Sequence, residues 1–542
     1  MEKGVRNSKE NSETSSGFMK NQIVPKWIIF GFVMTLFFCS GPPKPDYLPV
    51  PVEEVRSNEE IEKSLWSEEW SEKTQAIVEL SQRNYRKVIP KIRVFLKDKN
   101  PAVRGTSAIA LGTYQDKEST IAIGKMIQND KEVTSDILID ALARMKDPRG
   151  GEFVLPLLES ENNIFRLQVV DSLVQMKAGF LGEKILSMAV KNKDIEKAKT
   201  YSMALGQLKV RSSENYLIAL AEKTESSPTL AATYLALGRI QSKKAIPVLS
   251  KAVGKDFPKG RENSVEALLA INDPSCLSYM FPYLSDKEKE VQYYSANVIA
   301  GIPSKESGPK LLKVLDEKGK EVAGPVSFAI GRLKYEPARK KLENILLDTS
   351  YPDREEIAKS LGWIGNKESV AVLIKVLEEK NGEGRYGAAW SLGVLGSEDA
   401  LEPLIQAAGS PDRKLSAISI ESLGLLKSEK SLPILRSKMK ADPNLATFVV
   451  SALVSIPGEE SRLLLEEYAL HKDPIIHQPA IQGLGQRKEI ESAHVLLKLI
   501  TGDNPEVVKI SYLALTSITG EKYRSRNEWI NWYVKKFGKQ PE

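Results

Sequence analysis

The sequence is poor in the residues that carry out chemistry. Its 542 residues include only two cysteines and three histidines. Two thiols cannot staple a disulfide-dense scaffold, and three imidazoles leave little from which to build a metal centre. Charge of one sign is also missing, with 77 Lys+Arg against 71 Asp+Glu. A net +6 spread over so many ionic groups makes no field able to follow a phosphate backbone, so a nucleic acid is not among the expected partners. The chain contains no G-x-x-x-x-G-K-[ST], no H-E-x-x-H and no paired C-x-x-C, which removes the common phosphate-loop, zinc-protease and zinc-ribbon readings. What remains is 42% hydrophobic and 27% charged, enough apolar material to fold.

Residues 27–38 form a run of twelve without a charge, preceded by Lys20 and Lys26. Twelve helical residues span about 18 Å, short of a ~30 Å hydrocarbon core, so the run reads as a signal-peptide h-region. Cys39 follows directly. The arrangement resembles a bacterial lipoprotein signal, which implies that Cys39 is lipidated and becomes the mature N-terminus. The bulky Phe38 departs from the small residues usual before such a cysteine, and the alternative is an uncleaved anchor with Cys39 as an incidental thiol. Residues 1–18 are polar and without apolar period, so Met19 reads as the start of translation. Five prolines among residues 42–51 predict an extended, semi-rigid spacer. Ser57 and Glu60 have the spacing of a capping box. The expected division is a signal segment over 1–38, a lipid-anchored tether over 39–57, a folded body over 58–518 and a terminal segment over 519–542.

The body is one pattern repeated. Leu80, Leu111, Leu142, Leu173, Leu205, Leu237, Leu268, Ile299, Ile330, Leu361, Leu392, Leu423, Leu453, Leu484 and Leu515 follow one another at 30 to 32 residues. Ala, Ser or Gly precedes thirteen of these anchors, and no charged residue stands three or four positions before any of them. That is the stripe of a helix buried on one face. Gly follows the anchor in eight units, where it suits a helix C-terminus requiring positive φ. About ten residues later a second apolar stretch opens, often at proline, as in Ile89-Pro90, Ile246-Pro247 and Leu432-Pro433. Each unit therefore predicts helix, turn, helix. One such hairpin cannot bury both faces, so fifteen units of about 31 residues predict an all-α, α-solenoid superhelix.

The unit, seen in Asn100-Pro101-Ala102-Val103-Arg104 with Ala110-Leu111-Gly112, resembles the bacterial HEAT repeat of the phycobilisome-lyase type. The resemblance covers about 460 residues. It implies a scaffold fold used for many tasks, and it implies that the arginine seven residues before the anchor (Arg104, Arg166, Arg261, Arg354 and Arg385) pairs with an acidic residue between neighbouring units. The terminal Ile518-Thr519-Gly520 followed by Trp529, Trp532, Tyr533 and Phe537 also resembles this class, and predicts an aromatic helix covering the exposed end of the last unit.

Enzymatic relatives are opposed by the residues present. A HEAT-like hydroxylase holds di-iron with His-Glu pairs, whereas His471, His477 and His494 are followed by Lys472, Gln478 and Val495. His471, Asp473 and His477 do not share a helix face at their spacing. Phycobilin lyases work in the cytosol, where an exported chain does not meet their substrate. Cys276 reads as a small buried hydrophobe. The remaining candidate is an interaction patch of Tyr351, Trp363, Arg385, Tyr386 and Trp390, residue types that anchor protein interfaces; the alternative is that both tryptophans fill core between units. The expectation is an exported, membrane-anchored scaffold in the cell envelope that binds another protein along a concave face, without catalysis, cofactor or metal. A HEAT-like lyase or hydroxylase, or a passive envelope spacer, are the alternatives.

Overall fold

The computed structural model describes residues 56–541 except 256, 381 and 524. The signal segment, Cys39 and the proline-rich tether lie outside the described residues. Among those described there are 31 α-helices and no strand. The first, Asn58–Ser64, begins with the capping box predicted at Ser57 and Glu60 and packs on Trp70–Gln82. The other thirty form fifteen helix pairs, one pair for each anchor. All fifteen anchors are buried, none more than 1% exposed. The chain is an α-solenoid, and at about 9–10 Å per packed helix its contour runs roughly 140 Å. No helix among the described residues is long and apolar enough to cross a membrane.

The glycine after the anchor does not take the positive φ expected of it. In twelve units the anchor helices run two or three residues past the anchor, and the left-handed residue stands four positions after it. It is Asn84, Gln115, Lys146, Lys177, Lys209, Gln241, Asn272, Lys334, Lys427 or Lys488, with Gly365 and Gly396 in two units. In six of these units the next N–H then reaches back to the anchor carbonyl, as from Tyr85 to Leu80 at 3.0 Å and from Val210 to Leu205 at 2.9 Å, and in four others the left-handed residue itself does so, as from Asn272 to Leu268 at 3.0 Å. Either bond satisfies a carbonyl that the helix end leaves open. A single 3₁₀ turn follows and starts the second helix. Units anchored at Ile299 and Leu453 carry Pro303 and Pro457 at the left-handed position. Proline cannot adopt positive φ, and their anchor helices end instead in extended Ile302 and Ile456.

The glycines serve close approach. A Cβ added to Gly112 would lie 2.9 Å from the Cα of Ala141 in the next unit, and Gly238, Gly331 and Gly424 face Ala267, Ser360 and Ala452 at 2.6 to 2.7 Å. The small residue before each anchor is the other half of that contact. Two of the four serines at this place add a bond to the preceding unit: Ser391 Oγ donates to the Ala358 carbonyl at 2.8 Å and Ser422 to that of Ala389 at 2.9 Å, whereas Ser172 and Ser360 donate within their own helices. In the other layer the spacers are side chains, with the rings of Phe153, Tyr283 and Tyr335 against Gly124, Gly254 and Gly308. One layer is thus spaced by backbone and the other by aromatic rings, so the stack bends toward the first. The anchor helices line the inside.

The arginine ladder is a correction to the sequence reading. Arg104 meets Asp130 at 2.7 and 3.0 Å, Arg261 meets Glu288 at 2.7 Å and Arg354 meets Glu379 at 2.8 and 2.6 Å. Among the described residues Arg166 and Arg385 do not meet a carboxylate there. Arg166 donates to the carbonyls of Ser160 and Glu161, and Arg385 to those of Leu377 and Lys380. The cause lies at the acceptor position: Asn192 stands 26 residues after Arg166, where Asp130 follows Arg104, and Asp412, 27 residues after Arg385, is taken by the Tyr386 hydroxyl and the N–H groups of Lys414 and Leu415. Backbone oxygens then take the guanidinium protons. At the far end, Arg526–Phe537 is the second helix of the last unit. It packs on Ala493–Leu499 with Trp529 fully buried, and Tyr523 and Trp532 lie edge-on to that ring at 5.1 and 5.8 Å.

Candidate functional site: an aromatic stretch of the inner face

Three consecutive anchor helices depart from the regular entry. In eleven of the other twelve the residue before the helix is extended, and often caps it, as Asn100 does by accepting from Ala102 N–H, while Ala446–Ser455 is entered from a 3₁₀ turn. The helices Ala323–Arg332, Arg354–Ile364 and Arg385–Leu395 are entered through left-handed residues at Gly319, Asp353 and Gly384. Asp353 is not glycine, so this conformation costs on the order of 1 kcal/mol. Its carboxylate does not cap the helix. It reaches across the neighbouring unit to Lys289, at 2.6 Å. The crossing is open because that unit begins Ala323-Gly324-Pro325. A Cβ on Gly324 would fall 2.4 Å from Asp353 Oδ2 and 2.6 Å from the Tyr293 hydroxyl. Two units separated by a third therefore touch through it.

The same stretch carries a line of rings on the inner helices. Tyr293 and Phe328 are 6.2 Å apart, Phe328 and Trp363 5.6 Å, and Trp363 and Trp390 5.7 Å, all edge-to-face. Phe328 is buried, while Trp363 and Trp390 are half-buried. The line continues as Val394 and Leu425, both exposed, at the position of Trp363 in the next two units. The Arg332 guanidinium lies 5.8 Å from the Trp363 ring.

The five residues singled out in the sequence fall into four settings. Trp363 and Trp390 stack on each other within the line. Tyr386 turns to the next unit, donating to Asp412 Oδ2 at 2.7 Å with Lys414 Nζ 4.1 Å from its ring; that bond, then burial, pushes its hydroxyl pKa up. Tyr351 lies in the turn before its helix under Lys320, at 5.6 Å. Arg385 spends its donors on backbone carbonyls. Tyr293, Phe328 and Glu356 were missed. Their signal is positional, because Phe328 and Trp390 share the place two before the anchor and Trp363 stands two after it.

The carboxylates here are unevenly matched. Glu355 pairs with Lys359 at 2.7 Å. Glu356 makes no ion pair among the described residues, and its Oε1 is buried without a hydrogen-bond partner. Burial pushes its carboxyl up to about 7, with Glu355 and Asp353 adding to the rise and Lys359 opposing it. Tyr293 is pushed up by burial and by the same carboxylates. In the folded chain Glu356 holds its proton at pH values where the unfolded chain, titrating near the ordinary 4.5, has lost it. Its contribution to stability is therefore complete below pH ~4.5 and is lost as pH rises through ~7. Glu356→Gln should match the parent at pH 4 and exceed it by on the order of 2–3 kcal/mol at pH 8 in urea unfolding. Equal pH slopes in the two proteins would show that Glu356 is solvated.

The remaining chemistry-bearing residues are held in local structure. His471 Nδ1 accepts from the Asp473 N–H at 3.0 Å, and His477 Nδ1 lies 2.9 Å from the His471 carbonyl. Among the described residues no three of His, Cys, Asp and Glu converge as a metal site would require. Cys276 is buried, and burial pushes its thiol up to about 11.

The sequence profile of HEAT repeats matches residues 59–138, 182–268 and 371–447, and that of the PBS lyase HEAT-like repeat matches residues 353–379. These units are HEAT repeats. No curated protein matches the chain. Among solved structures, Kap121p aligns at 13% identity and a TM-score of 0.41, over 85% of this chain and 61% of its own. The karyopherin Kap121p bound to the SUMO protease Ulp1p aligns at 13% and 0.47, over 88% and 66%. The Kap95:Nup1 complex aligns at 12% and 0.48, over 89% and 69%. The chain thus spans less than two thirds of the length of Kap121p.

Proposed function

We propose that this chain is an exported bacterial scaffold, anchored in the cell envelope through a lipid on Cys39, that binds another protein on the inner face of its HEAT solenoid and performs no catalysis of its own. The observation that carries the reading is the half-buried Trp363–Trp390 pair, continued by exposed Val394 and Leu425 along one face. A tryptophan pair open to solvent on a rigid, concave support is the kind of anchor that supplies most of the free energy of a protein interface. The body around it needs no catalytic group, since stacked repeats offer contact area by themselves. The proline-rich stretch of residues 42–51 suits a spacer that holds such a body away from a membrane.

Both halves of the reading are tested on the full chain in its native envelope. A fatty-acid analogue should label the wild-type protein and leave Cys39→Ala unlabelled. Affinity capture should recover a partner that Trp363→Ala with Trp390→Ala loses, with anchoring unchanged. Label retained in Cys39→Ala sinks the address, and an unchanged set of captured proteins in the tryptophan variant sinks the surface.

A further inference from the structure

The line of rings on the inner face is bracketed by carboxylates that have no cation of their own. Glu356 stands two helical turns before Trp363 on the same helix. Glu421 occupies, one unit beyond, the position that Trp390 holds in its own. Neither makes an ion pair among the described residues, whereas Glu355 and Asp353 beside them are taken by Lys359 and Lys289. Glu356 is half-buried and Glu421 exposed, and desolvation by the surrounding protein pushes both free carboxyls up. A carboxylate set among apolar groups without a counter-charge is destabilising until a cation arrives. The ring faces between them have affinity for the same charge. In the unbound chain Arg332, which makes no ion pair among the described residues, stands over Trp363 at 5.8 Å, a distance at which a guanidinium is held by the ring quadrupole.

We propose that this stretch receives an extended segment of a partner protein carrying lysine or arginine side chains about three to four residues apart, with apolar ones between them. The cations meet Glu356 and Glu421 and lie against the faces of Trp363 and Trp390, while the apolar side chains rest on Val394 and Leu425. The spacing follows from the helix: seven residues separate Glu356 from Trp363, about 10 Å at 1.5 Å each, which an extended strand crosses in three residues. Arg332 gives up its place on Trp363 to the incoming cation. The inference rests on the inner-face reading above and names the chemistry of the partner.

The test uses the full chain and a fluorescein-labelled synthetic peptide with three Arg-x-x-Leu units, read by fluorescence polarisation, beside the same peptide with Arg replaced by Gln and by Glu. The arginine peptide should bind, the glutamine peptide about tenfold more weakly, and the glutamate peptide not at all. Glu356→Gln with Glu421→Gln should reduce binding of the arginine peptide about tenfold while melting at or above the wild-type temperature, so a folding defect cannot imitate the result. Trp390→Ala should reduce it as well. Equal binding of the arginine and glutamine peptides, no binding of the arginine peptide, or indifference to the double Gln variant would each overturn the proposal. A partner still captured through Trp363 and Trp390 while the three peptides behave alike would overturn the cationic chemistry alone and leave the scaffold standing.

Discussion

Leu268→Asp should open the middle of the solenoid and leave its ends closed. The side chain is 1% exposed and sits at the seventh of fifteen anchors. A carboxylate placed there has no partner and is surrounded by apolar neighbours, which costs several kcal/mol or forces the group to stay protonated. Each unit of a solenoid touches only its neighbours, so the damage spreads by adjacency. Hydrogen exchange followed by mass spectrometry should show lost protection over the units anchored at Leu237, Leu268 and Ile299. The units near Leu80 and Leu515 should exchange as before. Lys287→Asp, on an exposed side chain nearby, should change little. Loss of protection in scattered, unconnected segments would mean that the units do not share a continuous core.

Gly331→Leu should be the most damaging of the glycine substitutions, because it strikes packing and site together. An added Cβ lies 2.7 Å from the Ser360 Cα and 3.0 Å from the Trp363 ring. Helix backbones cannot give way by so much without separating, and overpacking of this kind costs about 3 kcal/mol. Protection should fall in the units anchored at Ile330 and Leu361, and the fluorescence of the displaced Trp363 should shift to the red. Gly179→Ala is the control. The nearest atom to its added Cβ is a carbonyl oxygen at 3.7 Å, and stability should stay within about 0.5 kcal/mol of wild type.

The period of the anchors was legible because burial repeats in every unit and leaves the same apolar mark each time. Local geometry was less so. The eight glycines after the anchors read as helix ends because glycine is the ordinary left-handed residue. They are instead where backbones of successive units meet, and in six of the eight units Lys or Gln takes the left-handed place three residues later. A long polar side chain there points into water, so composition gives no sign of the conformation. The acceptors of the arginine ladder depend on one residue some 26 positions downstream, which is why Arg166 and Arg385 broke the rule. Trp363 and Trp390 were recognisable as a pair because they are large and close in sequence. Tyr293 and Phe328 join them only through lateral contact between helices 35 residues apart, Glu356 reads as one more surface carboxylate of its helix, and the notch at Gly324 that lets Lys289 and Asp353 meet is a gap, which leaves no residue to notice.

The sharpest measurement of the whole account compares the two faces of the solenoid. A photo-crosslinking amino acid placed at Val394, exposed on the inner helices, and separately at Val190, exposed on a second-layer helix, gives two proteins that differ only in where they can capture a neighbour. Irradiated in the native envelope, the Val394 variant should form one discrete adduct with a second protein, abolished when Trp390→Ala is added, and the Val190 variant should form none. Adducts from Val190 equal to those from Val394, or an adduct at Val394 that persists without Trp390, would contradict an inner-face scaffold.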